Sequence, residues 1–158
     1  MFKQKGTLSG IQMHTILAPV NINSGTTSDV INLANYNHAS VMVSCGAMAA
    51  ASTMTVEYCT TAAPGTATAM AFSYRTKLNT TDTWGALTAC SSGGLSLSVA
   101  NTDVLIEMDA VELSIASSDT CSRVRLNWSN PGNTDLVSAV AVLGEPRYAA
   151  GIPVTAVD

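Results

Sequence analysis

Leu95-Ser96-Leu97-Ser98-Val99 and, a few residues on, Val104-Leu105-Ile106-Glu107-Met108-Asp109 decide the fold. In the first run every second residue is apolar and each one between is a serine. In the second, Val104, Ile106 and Met108 fall on one side, with Leu105, Glu107 and Asp109 on the other. Side chains of an extended chain alternate between two faces, so each run describes a strand with one buried side. A helix would need apolar residues three and four apart, and no long stretch keeps that spacing.

The same alternation recurs on both sides of this stretch. Val124, Leu126 and Trp128 alternate with Arg123, Arg125 and Asn127, and Met54, Val56 and Tyr58 alternate with Thr55, Glu57 and Cys59. Ala39 to Cys45 and Leu136 to Leu143 are apolar on both sides. They read as central strands covered on both faces or as short buried helices, and their β-branched content favours strands. Met13 to Ile22 is a further strand, which Pro19 places at an edge or a bulge. Ala67 to Tyr74 is another, and a short turn near Asp29 to Asn35 is the one place left open to helix. Asn23-Ser24-Gly25-Thr26-Thr27, Ala63-Pro64-Gly65-Thr66, Asn79 to Thr83, Ser91-Ser92-Gly93-Gly94 and Asn130-Pro131-Gly132-Asn133 supply the turns. Short strands at such intervals predict one all-β domain over 1–158, an antiparallel sandwich or barrel. Residues 1–10 are expected as a flexible N-terminal segment and 144–158 as an extended C-terminal arm.

Composition narrows the function. The chain has 158 residues, long enough for a core without staples, and 47% of them are hydrophobic, which argues against disorder. Charged residues make up 11%, against roughly 25% in an average domain. Their place is taken by Thr, Ser and Ala, a surface suited to lasting contact with neighbours. Seven Lys and Arg against a net charge of -4 leave too few cations for a phosphate-binding face, so no nucleic-acid partner is expected. No apolar run approaches the ~20 residues of a spanning helix, and no apolar segment follows Lys3 and Lys5, so neither a membrane span nor a signal peptide is expected. Cys45, Cys59, Cys90 and Cys121 lack zinc spacing and are expected as reduced, mostly buried thiols. A disulfide is open, with three connectivities.

Candidate sites are few. His14 and His38 stand outside any metal or nucleophile motif, though a zinc site with Cys45 or Asp29 is conceivable. No G-x-S-x-G elbow is present. Glu57, Glu107, Asp109 and Glu112 are the carboxylates expected on strands. Glu107 and Asp109 share a face and suggest a glycosidase-like pair, but a solvent face opposite Val104, Ile106 and Met108 is the simpler account. Gly93-Gly94 precedes a strand, which makes it a turn and not a phosphate cradle. Trp128 continues the apolar side of Val124 and Leu126 and belongs in the core. Trp84, next to a turn, is the residue on which a sugar-stacking platform would rest, with Tyr74 or Tyr36. No catalytic, cofactor-binding or metal-binding residue is assigned.

The order of segments from about 17 to 74 resembles a known group. Pro19-Val20-Asn21-Ile22-Asn23 leads to Asp29-Val30-Ile31-Asn32-Leu33, then Asn35-Tyr36-Asn37-His38-Ala39, then Thr53-Met54-Thr55-Val56-Glu57-Tyr58-Cys59. An Ala-Met-Ala-Phe-Ser-Tyr strand follows, with Pro146-Arg147-Tyr148-Ala149-Ala150-Gly151 near the C-terminus. This is similar to small structural proteins of tailed bacteriophages. The resemblance implies a jelly-roll-like sandwich made in the bacterial cytoplasm and carried on the virion as a capsid decoration (cement) protein. It further implies a homotrimer bound to the major capsid protein, without catalytic residues or cofactors. A head-tail or tail component falls in the same class, and a carbohydrate-binding or adhesin-like module is the alternative from another.

Overall fold

A computed structural model of the chain describes residues 11–63, 66–118 and 121–147. Among these residues twelve strands and one helix follow one another: β1 (Gln12–Asn21), β2 (Thr26–Thr27), β3 (Ile31–Asn32), β4 (Tyr36–Met48), β5 (Ser52–Cys59), β6 (Ala67–Met70), β7 (Phe72–Leu78), β8 (Thr88–Cys90), β9 (Leu95–Leu97), β10 (Thr102–Asp109), α1 (Ala110–Ser117), β11 (Arg123–Trp128) and β12 (Asp135–Pro146). Sheet A runs β1-β12-β4-β10-β7-β8. Sheet B runs β2-β11-β5-β6, with β3 also on β11 and β9 also on β5. All the pairings are antiparallel. The chain changes sheets at eight of its eleven steps from strand to strand, so the expected all-β, jelly-roll-like sandwich is what forms.

The inner faces carry the alternating apolar sets. Val41, Val43, Val104, Ile106, Ala139, Ala141 and Leu143 of sheet A meet Met54, Val56, Val124, Leu126 and Trp128 of sheet B, all buried. Each aliphatic side chain so buried contributes about 1.5–3 kcal/mol against exposure. Trp128, 1% exposed, is core as its alternation predicts. The outer face of sheet B is polar: Glu57 accepts from Arg125 Nε at 2.9 Å and from Asn127 Nδ2 at 2.8 Å. Its outer strands are divided, β2 and β3 sharing one side of β11, β6 and β9 one side of β5. Pro19 lies as expected in an edge strand, β1, whose register slips on either side of Leu17.

Several expectations need correction. Ala67 to Tyr74 is two strands: the chain leaves sheet B after Met70 and enters sheet A at Phe72, turning a corner of the sandwich. No helical turn forms at Asp29 to Asn35. Asn32 Oδ1 accepts the Ala34 N–H at 3.0 Å, a local bond that competes with helix, and Ile31–Asn32 pairs with β11. The helix lies instead at Ala110–Ser117, so Glu112 is helical and not on a strand. Its Oε2 accepts the Asp109 N–H at 3.3 Å, closing the helix start as a capping box does. Gly144 to Pro146, expected to open the arm, continue β12 opposite β4. The remainder of that arm, 148–158, and residues 1–10 lie outside the described residues.

Candidate functional site

β4 and β12 are central in sheet A, but they are covered on one face alone, contrary to expectation. Their registers align outward-facing side chains in rows across the sheet. One row is Thr15–Val140–Met42–Leu105–Arg75, and the next is Met13–Val142–Ser40–Glu107–Ser73. Met13, Val142, Val140, Met42 and Leu105 therefore make an apolar band over four strands. Met13 is 71% exposed and Met42 41%, with Leu136 at 44% further along β12. The apolar runs that predict two-sided burial thus serve one buried and one open face.

Polar rows bound the band. On one side Ser44 Oγ donates to Asp103 Oδ1 at 2.8 Å, and Lys77 Nζ stands 3.5 Å from Asp103 Oδ2. The same ammonium lies 5.2 Å from the centre of the Trp84 ring. On the other side His38 sits between two carboxylates: Nδ1 is 2.7 Å from Asp109 Oδ1 and Nε2 is 2.7 Å from Glu107 Oε2. Ser40 Oγ is 3.1 Å from His38 Nε2 and donates to Glu107 Oε2 at 2.9 Å.

Ser40, His38 and Asp109 have the connectivity of a nucleophilic triad, but the proton count points elsewhere. A neutral imidazole has one N–H, whereas both nitrogens here face an anionic acceptor, which calls for the imidazolium. Burial alone lowers the His38 pKa; hydrogen bonds and charge from Asp109 and Glu107 outweigh it and leave the pKa raised above 6.5. In the imidazolium form that this geometry favours, Nε2 has no lone pair for the Ser40 proton, and the cluster is arranged to hold a cation across β4 and β10. With the folded pKa raised, the stabilisation is complete below 6.5 and is lost as pH rises through the folded value. The melting-temperature gap between the wild type and His38→Gln should therefore shrink from about pH 6 to about pH 9, from a surface contribution of at most about 1 kcal/mol. A gap constant over that range would show that the two contacts do not stabilise the fold.

The other sequence candidates disperse. Glu107 and Asp109 lie on the open face as the simpler account has it, with His38 between them. His14 Nε2 lies 3.0 Å from Gln12 Oε1 at the sheet's edge, away from His38 in register. Among the described residues no group of three or more His, Cys, Asp or Glu side chains could hold a metal ion. The sugar platform does not assemble: Trp84 is half-buried beside Lys77, Tyr36 is fully buried, and Tyr74 packs against Phe72 at 6.2 Å between ring centres. A groove of about 440 Å³ opens between β7, β9 and β10, lined by Leu78, Leu95, Leu97, Val99 and Thr102 among others. Lys77 is its one ionisable lining residue among those described, so it lacks an acid–base pair. The His38 cluster escapes a linear reading because its signal, His38-x-Ser40 against Glu107-x-Asp109, needs the register of two strands.

Fold and face together define a class: an antiparallel β-sandwich with one polar outer face and one open apolar one. A solved structure, the crystal structure of the SPBc2 prophage-derived protein YomS, has a similar fold, with TM-score 0.50 and 14% identity over 87% of this chain and 95% of that one. A chain of infectious bursal disease virus Gt strain aligns at TM-score 0.21 and 10% identity over 93% of this chain and 43% of its own, too loosely to bear on the fold. No protein-family model matches the sequence, and no curated protein matches it significantly.

Proposed function

We propose that this chain is a structural protein of a tailed-phage virion and sits on the outside of the head as a decoration protein. The observation that carries the reading is the open apolar band of sheet A between its two polar rows. An apolar centre inside a polar rim is the anatomy of a protein interface, and a contiguous exposed apolar surface marks an interaction site. The low charge of the chain and the fold shared with a prophage-derived protein support it. The partners are the major capsid protein and further copies of this chain in a trimer; nucleic acid, membrane, cofactor and catalysis have no part. A protein that binds the expanded shell and not its precursor stabilises it by mass action, and a trimer multiplies weak contacts.

Expanded shells of the phage that encodes the chain, mixed with purified protein and pelleted, should carry it down to saturation. Light scattering should return a trimer with and without reductant. Met42→Glu puts a carboxylate at the centre of the band and is expected to weaken shell binding about tenfold or more, with the melting temperature barely moved. Full shell occupancy by that variant would remove the band from the contact. Shells and purified virions free of the wild-type protein would overturn the reading itself.

A further inference from the structure

The four cysteines differ in their neighbours. Cys45 points into the core from β4, and Cys90 lies half-buried on the edge strand β8. Cys59 closes β5 opposite Arg123, the first residue of β11, and Cys121 precedes that arginine by two. Arg123 and Cys59, directly opposite each other, share one side of the sheet. Cys121 Sγ touches the Cys59 carbonyl oxygen; it lies 3.1 Å from the Arg123 carbonyl oxygen and accepts the Arg123 N–H at 3.3 Å. The contact of Cys121 Sγ with the Cys59 carbonyl, and the pairing of Cys59 with Arg123, put the two cysteines side by side where β5 ends and β11 begins. Cys59 is 1% exposed while Cys121 is half-buried, so solvent reaches one partner first.

We propose that Cys59 and Cys121 are a thiol pair that closes to a disulfide when the chain meets a small-molecule disulfide, Cys121 attacking first and Cys59 resolving. In the first step the Cys121 thiolate attacks one sulfur of oxidised glutathione. The glutathione S–S bond breaks, and one glutathione leaves as thiolate and takes up a proton. In the second, Cys59 gives up its proton and attacks the Cys121 sulfur of the mixed disulfide, expelling the second glutathione. Two protein thiols lose two electrons, and one small disulfide gains them as two thiols. Burial, then the neighbouring Cys121, pushes the Cys59 thiol up to about 11. The second step is therefore slow near neutral pH and accelerates as pH rises. The bond would tie the end of β5 to the start of β11 and cross-link a long loop, constraining the unfolded chain. None of this depends on the virion reading.

The test uses the full chain with excess oxidised glutathione, sampled over hours at about pH 7 and about pH 9 and quenched with acid. Trypsin followed by a glutamate-specific protease places each cysteine on its own peptide: 6–57, 58–75, 78–107 and 113–123. The expected course is a single glutathione adduct on 113–123, then its replacement by a cross-link between 58–75 and 113–123, faster at the higher pH. The melting temperature should rise by several degrees, and reductant should abolish the rise. Cys59→Ser should hold the adduct on Cys121 indefinitely. Should that buried substitution prevent folding, Cys121→Ser serves, with Cys59 then expected to resist glutathione. A persistent adduct on wild-type Cys121 at the higher pH, or a cross-link through Cys45 or Cys90, would overturn the proposal.

Discussion

Gly94→Ala should destabilise the chain by about 2–5 kcal/mol, the sum of a left-handed backbone penalty and steric overlap. Gly94 lies between β8 and β9 with φ +88°, where a side chain costs about 1–2 kcal/mol. Space is the larger obstacle. A Cβ there would lie 2.6 Å from the Met54 carbonyl oxygen, 2.8 Å from Thr55 Cγ2 and 2.9 Å from Thr53 Cγ2. The backbone crosses β5 at this point, and β9 pairs with β5 from Leu95 onward, so the overlap cannot be relieved without moving the pairing. Gly132→Ala is the matched control, since it too has positive φ (+71°) but nothing within 4 Å of its Cβ. It should lose the backbone penalty alone. Thermal melts of the two variants would measure the crossing as the difference; equal losses would mean that β5 yields.

Trp128→Ala is the other large expected effect, a loss of about 3–5 kcal/mol. Trp128 ends β11 opposite Met54 and Thr26, and its neighbours belong to both sheets, so collapse around the cavity is limited. Its Nε1 is buried and finds no acceptor among the described residues, which already costs the fold something. Trp128→Phe removes that donor along with part of the ring and should lose well under half as much as the alanine. Chemical denaturation separates the two: a phenylalanine as damaging as alanine would show that the indole shape, with its orphan N–H, is the better fit.

What could be read along the chain is local. Alternation at Leu95–Val99, Val104–Asp109, Arg123–Trp128 and Met54–Cys59 marks strands because a period of two is a property of one segment, and it places Trp128 in the core. Pro19 announces an edge because a missing N–H matters wherever the partner is. What could not be read depends on pairing. Ala67–Met70 runs on into Phe72–Leu78 through Ala71 with no glycine or proline between, and nothing in the letters says that the chain changes sheets there. Met42 and Val140 read as buried on either side because hydrophobicity does not say which face is open. His38 meets Glu107 and Asp109 only through the register of β4 on β10. The helix at Ala110–Ser117 had a signal in Asp109-x-x-Glu112, but eight residues directly after a strand do not develop a helical period.

The divided outer strands of sheet B bear on how crowded copies behave. Amyloid-like stacking needs a long, straight, unpaired edge as a template. Segments of two to four residues offer too few free amide and carbonyl groups in line, and β1, with Pro19 and its slipped register, is a poor template on the other sheet. A chain with so few charges has little electrostatic repulsion to hold its copies apart. Broken edges let it be concentrated without polymerising.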